Sequence, residues 1–355
     1  MKRLSRFLNL LWVAMLGALV GCPPANASEA VGVRQIPAYS QERGIELDVT
    51  VWYPARAGGT PVTLGESVFF VGTPSMRDAP LATGKFPLVL LSHGAGLAGN
   101  AQALSWIAVP LAKQGFIVAA PTHPGNTGPH KSAMETMKLW LRPTDISVTV
   151  DAMVKNPLFR KQLLPKKIGL LGLSMGGNTA LAIAGARLDP ERLMRYCDTD
   201  ALNHSLCDWV RQSGVDLRTL NMRAAGRDNA DQRIRFVMAI DPAPVDVMDS
   251  KSFARISIPV ELVNLGRPGS ISPTTDASGI AQRIPHAAYA TIRDASHYSM
   301  FAECKPGAAE LAESEDIGDP ICSDGGNRTR SEIHDQLIQN TGLAFRRALQ
   351  KMSAQ

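Results

Sequence analysis

The stretch Lys167-Ile168-Gly169-Leu170-Leu171-Gly172-Leu173-Ser174-Met175-Gly176-Gly177 ends an apolar run in a serine with a glycine two positions to either side. A serine hydroxyl attacks a carbonyl only when a neighbouring base removes its proton. A Gly-x-Ser-x-Gly pattern suits that task at a sharp strand-to-helix turn. The glycines let the backbone crowd itself, the turn lifts the hydroxyl clear of the sheet, and the next helix aims its N-terminus at developing negative charge. The pattern is short enough to arise by accident, so its surroundings decide.

A base is expected later in the chain. Of seven histidines, His297 in Ile292-Arg293-Asp294-Ala295-Ser296-His297 follows a strand-like run and gives the order serine, acid, histidine. His93 and His123 also end apolar runs but precede the serine. For the acid that orients the imidazole, Asp241 at the end of Ile234–Ile240 is the first candidate and Asp276, in a Ser/Thr/Pro-rich loop, the second. Asp246 and Asp249 read as solvated loop charges, Glu261 as a strand residue, and Thr144-Asp145 as a helix cap. An oxyanion needs backbone donors. Gly94 and Gly96 would let the Ala95 amide approach a ligand, and the Met175 amide follows the serine directly.

The elements that must position these groups are legible as periodicity. Ile45–Pro54 alternates apolar and polar residues like a half-buried antiparallel strand, and residues 60–74 read as a loop or second edge strand. The runs FPLVLLSHG, FIVAAP and KKIGLLGLS read as strands buried on both faces. They alternate with helical patterns over residues 100–115, 144–156 and 175–188. This is the signature of a mostly parallel, doubly wound α/β sheet. About residues 188–233 the pattern breaks into a polar, mostly helical insertion, expected to lie over the carboxyl edge of the sheet as a cap. Strands resume in IRFVMAI, IPVELVNL and AYATI, and residues 330–352 read as an amphipathic closing helix.

The first 27 residues read as an export signal, with Lys2, Arg3 and Arg6 ahead of a short apolar core. Leu19-Val20-Gly21-Cys22 resembles a bacterial lipobox, which would make Cys22 a lipidated N-terminus and a membrane anchor; cleavage after Ala27 is the rival. The mature chain would then run from 28 to 355. The leader takes three of the 37 Lys and Arg and none of the 32 acids, leaving 34 basic against 32 acidic groups, a charge of +2. That balance gives no footprint for nucleic acid. The remaining four cysteines, Cys197, Cys207, Cys304 and Cys322, suit disulfides in an exported chain, with local pairing preferred. No cysteine or histidine spacing calls for zinc.

Together these residues resemble the α/β-hydrolase superfamily and, more narrowly, the platelet-activating-factor acetylhydrolase group with its bacterial dienelactone-hydrolase-like relatives. The resemblance spans about Pro87 to Ser299 and rests on SHGAG, GLSMGG, AIDPA and SHYSMF. It implies Ser174 as nucleophile, Asp241 as acid, His297 as base, and the Ala95 and Met175 amides as oxyanion hole. Authentic dienelactone hydrolases carry a cysteine where this chain has Ser174. The function expected is an exported serine ester hydrolase that needs no cofactor and acts on short-chain or lipid-derived esters. The alternatives are an amidase or peptidase with the same triad, and a binding or scaffold protein without turnover.

Overall fold

The computed structural model describes residues 30–126 and 131–350. The leader and Cys22 lie outside the described residues.

Short apolar runs bounded by Gly, Pro and Asp become one ten-stranded sheet among the described residues. The strands are β1 (Ala30–Ser40), β2 (Ile45–Ala55), β3 (Thr60–Leu64), β4 (Thr73–Arg77), β5 (Phe86–Ser92), β6 (Ile117–Pro121), β7 (Leu163–Leu173), β8 (Ile234–Ile240), β9 (Val260–Leu265) and β10 (Ala287–Ile292). Their spatial order is β10-β9-β8-β7-β5-β6-β2-β1-β4-β3. The six strands from β10 to β6 run parallel. The β1–β2 hairpin joins them antiparallel through β2 and β6.

Helices cover both faces: α1 (Ser105–Lys113), α2 (Ala133–Met137), α3 (Arg142–Lys155), α4 (Met175–Ala184), α5 (Pro190–Met194), α6 (His204–Gln212), α7 (Ser278–Ala281), α8 (Ala308–Ser314) and α9 (Arg330–Gln350). On one face Ile146, Val150 and Met153 of α3 and Leu181 and Ile183 of α4 pack on Leu88, Leu90 and Leu170 of the sheet. On the other, Ile107 and Leu111 of α1 and Leu337 and Phe345 of α9 pack on Val89, Leu91 and Leu171. Adjacent residues of β5 thus serve opposite layers, which is why the central strands read as unbroken apolar runs.

Some elements differ from expectation. The first strand, β1, pairs with β2 along its length and alternates in burial only from Gln35 to Ser40, with Ile36, Ala38 and Ser40 facing inward. Residues 60–77 form a two-stranded ribbon, β3–β4, that extends the sheet through β1. The β2 strand alternates only at its start; from Val49 onward it is buried on both faces, because β6 and the helices enclose it. Disulfides join Cys197 to Cys207 and Cys304 to Cys322. Two disulfides in one chain fit an extracellular or periplasmic protein. Among the described residues no helix is long and apolar enough to cross a membrane.

Residues 188–233 hold α5, α6 and two short 3-10 turns. They contact loops leaving the carboxyl ends of several parallel strands. Lys131, beyond β6, sits 5.0 Å over the Trp209 ring. Asp189 donates its amide to Val247 O at 2.8 Å, beyond β8. The Tyr196 and Thr274 hydroxyls lie 2.6 Å apart, beyond β9. Ser205 donates to Asp319, beyond β10.

Candidate active site

Ser174 stands at the junction of β7 and α4 with φ 53° and ψ −121°, a conformation that costs a non-glycine residue about 1–3 kcal/mol. Its surroundings hold it there. The Ser174 amide donates to Ile240 O at 3.0 Å, and Ser174 O accepts from Gly177 N at 2.7 Å and Ala243 N at 3.0 Å. The flanking glycines are obligatory for space: a Cβ on Gly172 would sit 2.0 Å from Gly176 O, and one on Gly176 would sit 1.8 Å from Ser92 O.

The structure brings three of the expected side chains into one chain of hydrogen bonds. Ser174 Oγ lies 3.1 Å from His297 Nε2, and His297 Nδ1 lies 3.1 Å from Asp241 Oδ2. Asp241 is buried, and His297 keeps 30% of its side-chain surface exposed. The other carboxylate oxygen, Asp241 Oδ1, accepts from Leu265 N and Asn264 Nδ2, both at 2.7 Å. With Oδ1 so occupied, the donor left for Oδ2 is the imidazole N–H, which leaves Nε2 free to accept from the serine hydroxyl. Asp276 is exposed and receives the Ser278 amide at 2.8 Å, while Asp246 receives the Thr274 hydroxyl at 2.7 Å. Asp249 receives the Lys251 amide at 2.9 Å and Glu261 pairs with Arg347 at 3.1 Å. None of these four carboxylates is joined to His297.

The two expected amide donors flank the serine. Met175 is the first residue of α4, where a helix leaves its N–H without an intrahelical acceptor. Ala95 follows Gly94, and a Cβ on Gly94 would come within 3.3 Å of Ser174 Cβ, so this loop passes directly beside the hydroxyl.

A second, fully buried constellation lies behind that loop. Ser92 Oγ is 2.9 Å from His123 Nε2, and His123 Nδ1 is 2.8 Å from Asp145 Oδ2. Arg43 grips Asp145 with two nitrogens, at 2.7 and 2.9 Å. The His123 amide donates to His93 Nε2 at 2.9 Å, His93 Nδ1 meets Gly94 O at 2.7 Å, and Arg142 donates to His93 O. Burial holds both imidazoles well below the ordinary histidine range; for His93 the neighbouring His123 and Arg142 add to it, and for His123 the two arginines do. Burial also lowers Arg142 to about 9, and it raises Asp145 while the Arg43 fork opposes that rise. Asp145 is therefore no helix cap. The helix begins at Arg142 without a side-chain cap, and the Asp145 carboxylate turns inward to partners 22 and 102 residues away. The sequence signal that existed was a pair of histidines, His93 and His123, each just past the carboxyl end of a buried central strand. Among the described residues no group of three or more His, Cys, Asp or Glu is arranged to hold a metal ion.

The sequence model of the family described as platelet-activating factor acetylhydrolase, isoform II, matches residues 64–143. That stretch contains the Ala95 loop, His93 and His123, and it ends before Ser174. No curated protein matches the chain. Among solved structures, a ferulic acid esterase from Streptomyces cinnamoneus is 16% identical, covers 94% of this chain and 93% of its own, and superposes with a TM-score of 0.60. A dienelactone hydrolase from Anabaena variabilis is 13% identical over 89% of this chain and 98% of its own, with a TM-score of 0.48. An esterase from Rhizomucor miehei is 11% identical over 91% and 85%, also at 0.48. The chain has the α/β-hydrolase fold and, over residues 64–143, resembles the acetylhydrolase family.

Proposed function

We propose that this protein is an exported serine carboxylic-ester hydrolase working through an acyl-enzyme. The observation that carries the reading is the continuous hydrogen-bond chain from Ser174 Oγ through His297 to Asp241. In this reading Ser174 Oγ attacks the ester carbonyl as His297 Nε2 takes its proton, and Asp241 holds the imidazolium and its tautomer. The Ala95 and Met175 amides receive the negative charge that forms on the carbonyl oxygen. His297 then gives its proton to the departing alcohol. Water, deprotonated by the same imidazole, releases the acid and restores Ser174. No step calls for a metal or an organic cofactor.

The substrate in this reading is a small ester with a short acyl group or a lipid-derived alcohol. The family match over residues 64–143 supports it, since the family is named for an acetylhydrolase. Residues 188–233 would act as a cap over the site, a role supported by their contacts with loops beyond β6, β8 and β9. Export through the leader, with a lipid anchor on Cys22, would place the enzyme at the cell envelope.

The test is hydrolysis of p-nitrophenyl esters from acetate to palmitate by the wild-type protein and by Ser174→Ala. The expected result is turnover that favours short acyl chains, falling to background in the variant. Unchanged turnover by Ser174→Ala would overturn the reading. So would a wild type inactive on every ester and unlabelled at Ser174 by a fluorophosphonate.

A further inference from the structure

The peptide group joining Gly94 to Ala95 has two ends with different fates. A trans peptide is planar, so its C=O and N–H point in opposite directions and rotate together. Whatever holds Gly94 O therefore also aims Ala95 N–H. The group holding Gly94 O is the His93 ring, through Nδ1 at 2.7 Å. A carbonyl oxygen only accepts, so Nδ1 must carry a hydrogen. The other ring nitrogen, Nε2, receives the His123 amide N–H at 2.9 Å and so must be bare. The donor count thus fixes His93 as a neutral imidazole protonated on Nδ1, in agreement with its complete burial beside Arg142.

The same count runs back through the buried constellation without a conflict. Asp145, gripped by Arg43, accepts from His123 Nδ1–H, so His123 Nε2 accepts from the Ser92 hydroxyl. The His123 backbone that supplies the key N–H is thereby anchored through its own side chain. On the other side, Arg142 holds His93 O. Gly94 stands directly beside Ser174: a Cβ added to it would lie 3.3 Å from Ser174 Cβ and 3.7 Å from Ser174 Oγ.

We propose that His93 is a positioning residue for ester hydrolysis: its Nδ1–H locks the Gly94–Ala95 peptide so that Ala95 N–H faces the oxyanion. The buried Ser92–His123–Asp145 relay does no proton transfer to substrate and instead fixes the ring and tautomer of His93. This inference rests on the reading of Ser174 as nucleophile.

Two amide substitutions separate positioning from mere packing. In His93→Asn the side-chain nitrogen can stand where Nδ1 stood and still donate to Gly94 O, but the His123 amide loses its acceptor. In His93→Gln the side-chain oxygen can stand where Nε2 stood and satisfy His123, but the Gly94 carbonyl is released. Stability and activity should then move in opposite orders. His93→Asn should have the lower Tm and keep kcat within about fivefold of wild type, while His93→Gln should have the higher Tm and lose about a hundredfold in kcat with little change in KM. A trifluoromethyl ketone, which forms a tetrahedral adduct on Ser174, should lose affinity for His93→Gln by the same factor. The proposal is overturned if kcat follows Tm across the two variants, or if His93→Gln binds the ketone like wild type. Should neither variant fold, nitrogen-15 NMR of histidine-labelled wild type decides: a His93 that is charged, or protonated on Nε2, at pH 7.5 rules it out. A wild type inactive on all esters would instead defeat the catalytic reading, and the NMR result would still report on the tautomer.

Discussion

Asn264 Nδ2 donates to Asp241 Oδ1 at 2.7 Å, and this one contact ties the expected acid to the end of β9. Every hydrogen-bonding group of the Asn264 side chain is used. The amide nitrogen also reaches Thr275 O at 2.8 Å, and Oδ1 accepts from Ala277 N at 2.9 Å and Tyr289 OH at 3.1 Å. Asn264→Ala would strand several buried partners at once, so it should cost about 3 kcal/mol of stability. It should also lower kcat about tenfold through a looser Asp241. Urea denaturation and ester kinetics on the same preparation check both, and an unchanged kcat would show that Leu265 N alone suffices to seat the carboxylate.

A sharper outcome is expected at Asp241. In Asp241→Asn the amide oxygen must face the two donors at the Oδ1 position, Asn264 Nδ2 and Leu265 N. The amide NH2 then faces His297 Nδ1, which can only accept from it, so the ring proton moves to Nε2 and the imidazole cannot take the serine proton. The fold should survive, while kcat at neutral pH falls about 10⁴-fold, as in other triads whose acid is amidated. Full stability with near-normal kcat would remove Asp241 from the mechanism.

The parts of this architecture that were legible in sequence are those encoded locally. Parallel strands buried on both faces must be apolar there, so Leu88–Leu91, Ile117–Ala120 and Ile168–Leu173 stand out as short unbroken apolar runs. The turn at Ser174 likewise needs small residues at fixed offsets, since Gly172 and Gly176 have no room for a Cβ. What could not be read depends on distant partners. Asp145 looks like a cap because it follows Thr144, and only the return of Arg43 and His123 in space gives it an internal role. The acid choice between Asp241 and Asp276 stayed open for the same reason. Both lie beyond strands of the carboxyl edge, and side-chain direction decides which one meets His297. The β1 strand has a weak sequence signal because its inward positions after Val33 carry Ile36, Ala38 and Ser40, of which two are small, and its pairing with β2 and β4 is made in space.

The Cys304–Cys322 disulfide should matter to the seating of His297 as well as to the fold. Its loop reaches back to the residue after His297, where Tyr298 OH donates to Asp319 Oδ1 at 2.8 Å, and Arg330 Nη1 closes it through Ile321 O at 2.9 Å. The bridge spans 18 positions, for which chain entropy gives about 3 kcal/mol. The double variant Cys304→Ser, Cys322→Ser should lose about that much in urea denaturation and should lose ester hydrolysis on heating before the wild type does. Equal midpoints for the two proteins would show that the loop is held by its hydrogen bonds alone.

Acid should weaken the same corner of the molecule through His334. Its ring stacks on Trp106 with centroids 3.8 Å apart, and Nε2–H is shared between Ser299 O and Phe301 O, each at 3.0 Å. Burial lowers this histidine to about 4, and the nearby Arg330 adds to the effect against the two carbonyl contacts. Well above pH 6.5 the ring is neutral whether the chain is folded or not, and its contribution is complete. As pH falls from 6.5 toward 4 the unfolded chain binds a proton that the folded one refuses, so stability drops throughout that window, by about 3 kcal/mol from this residue. His93 and His123, lowered in the same direction, add to the loss. His334→Gln keeps a donor for the two carbonyls and cannot titrate. Urea midpoints measured from pH 7.5 to 4.5 should therefore fall less steeply for His334→Gln than for wild type. Parallel slopes would mean that the acid sensitivity arises elsewhere, in the His93–His123 pair first of all.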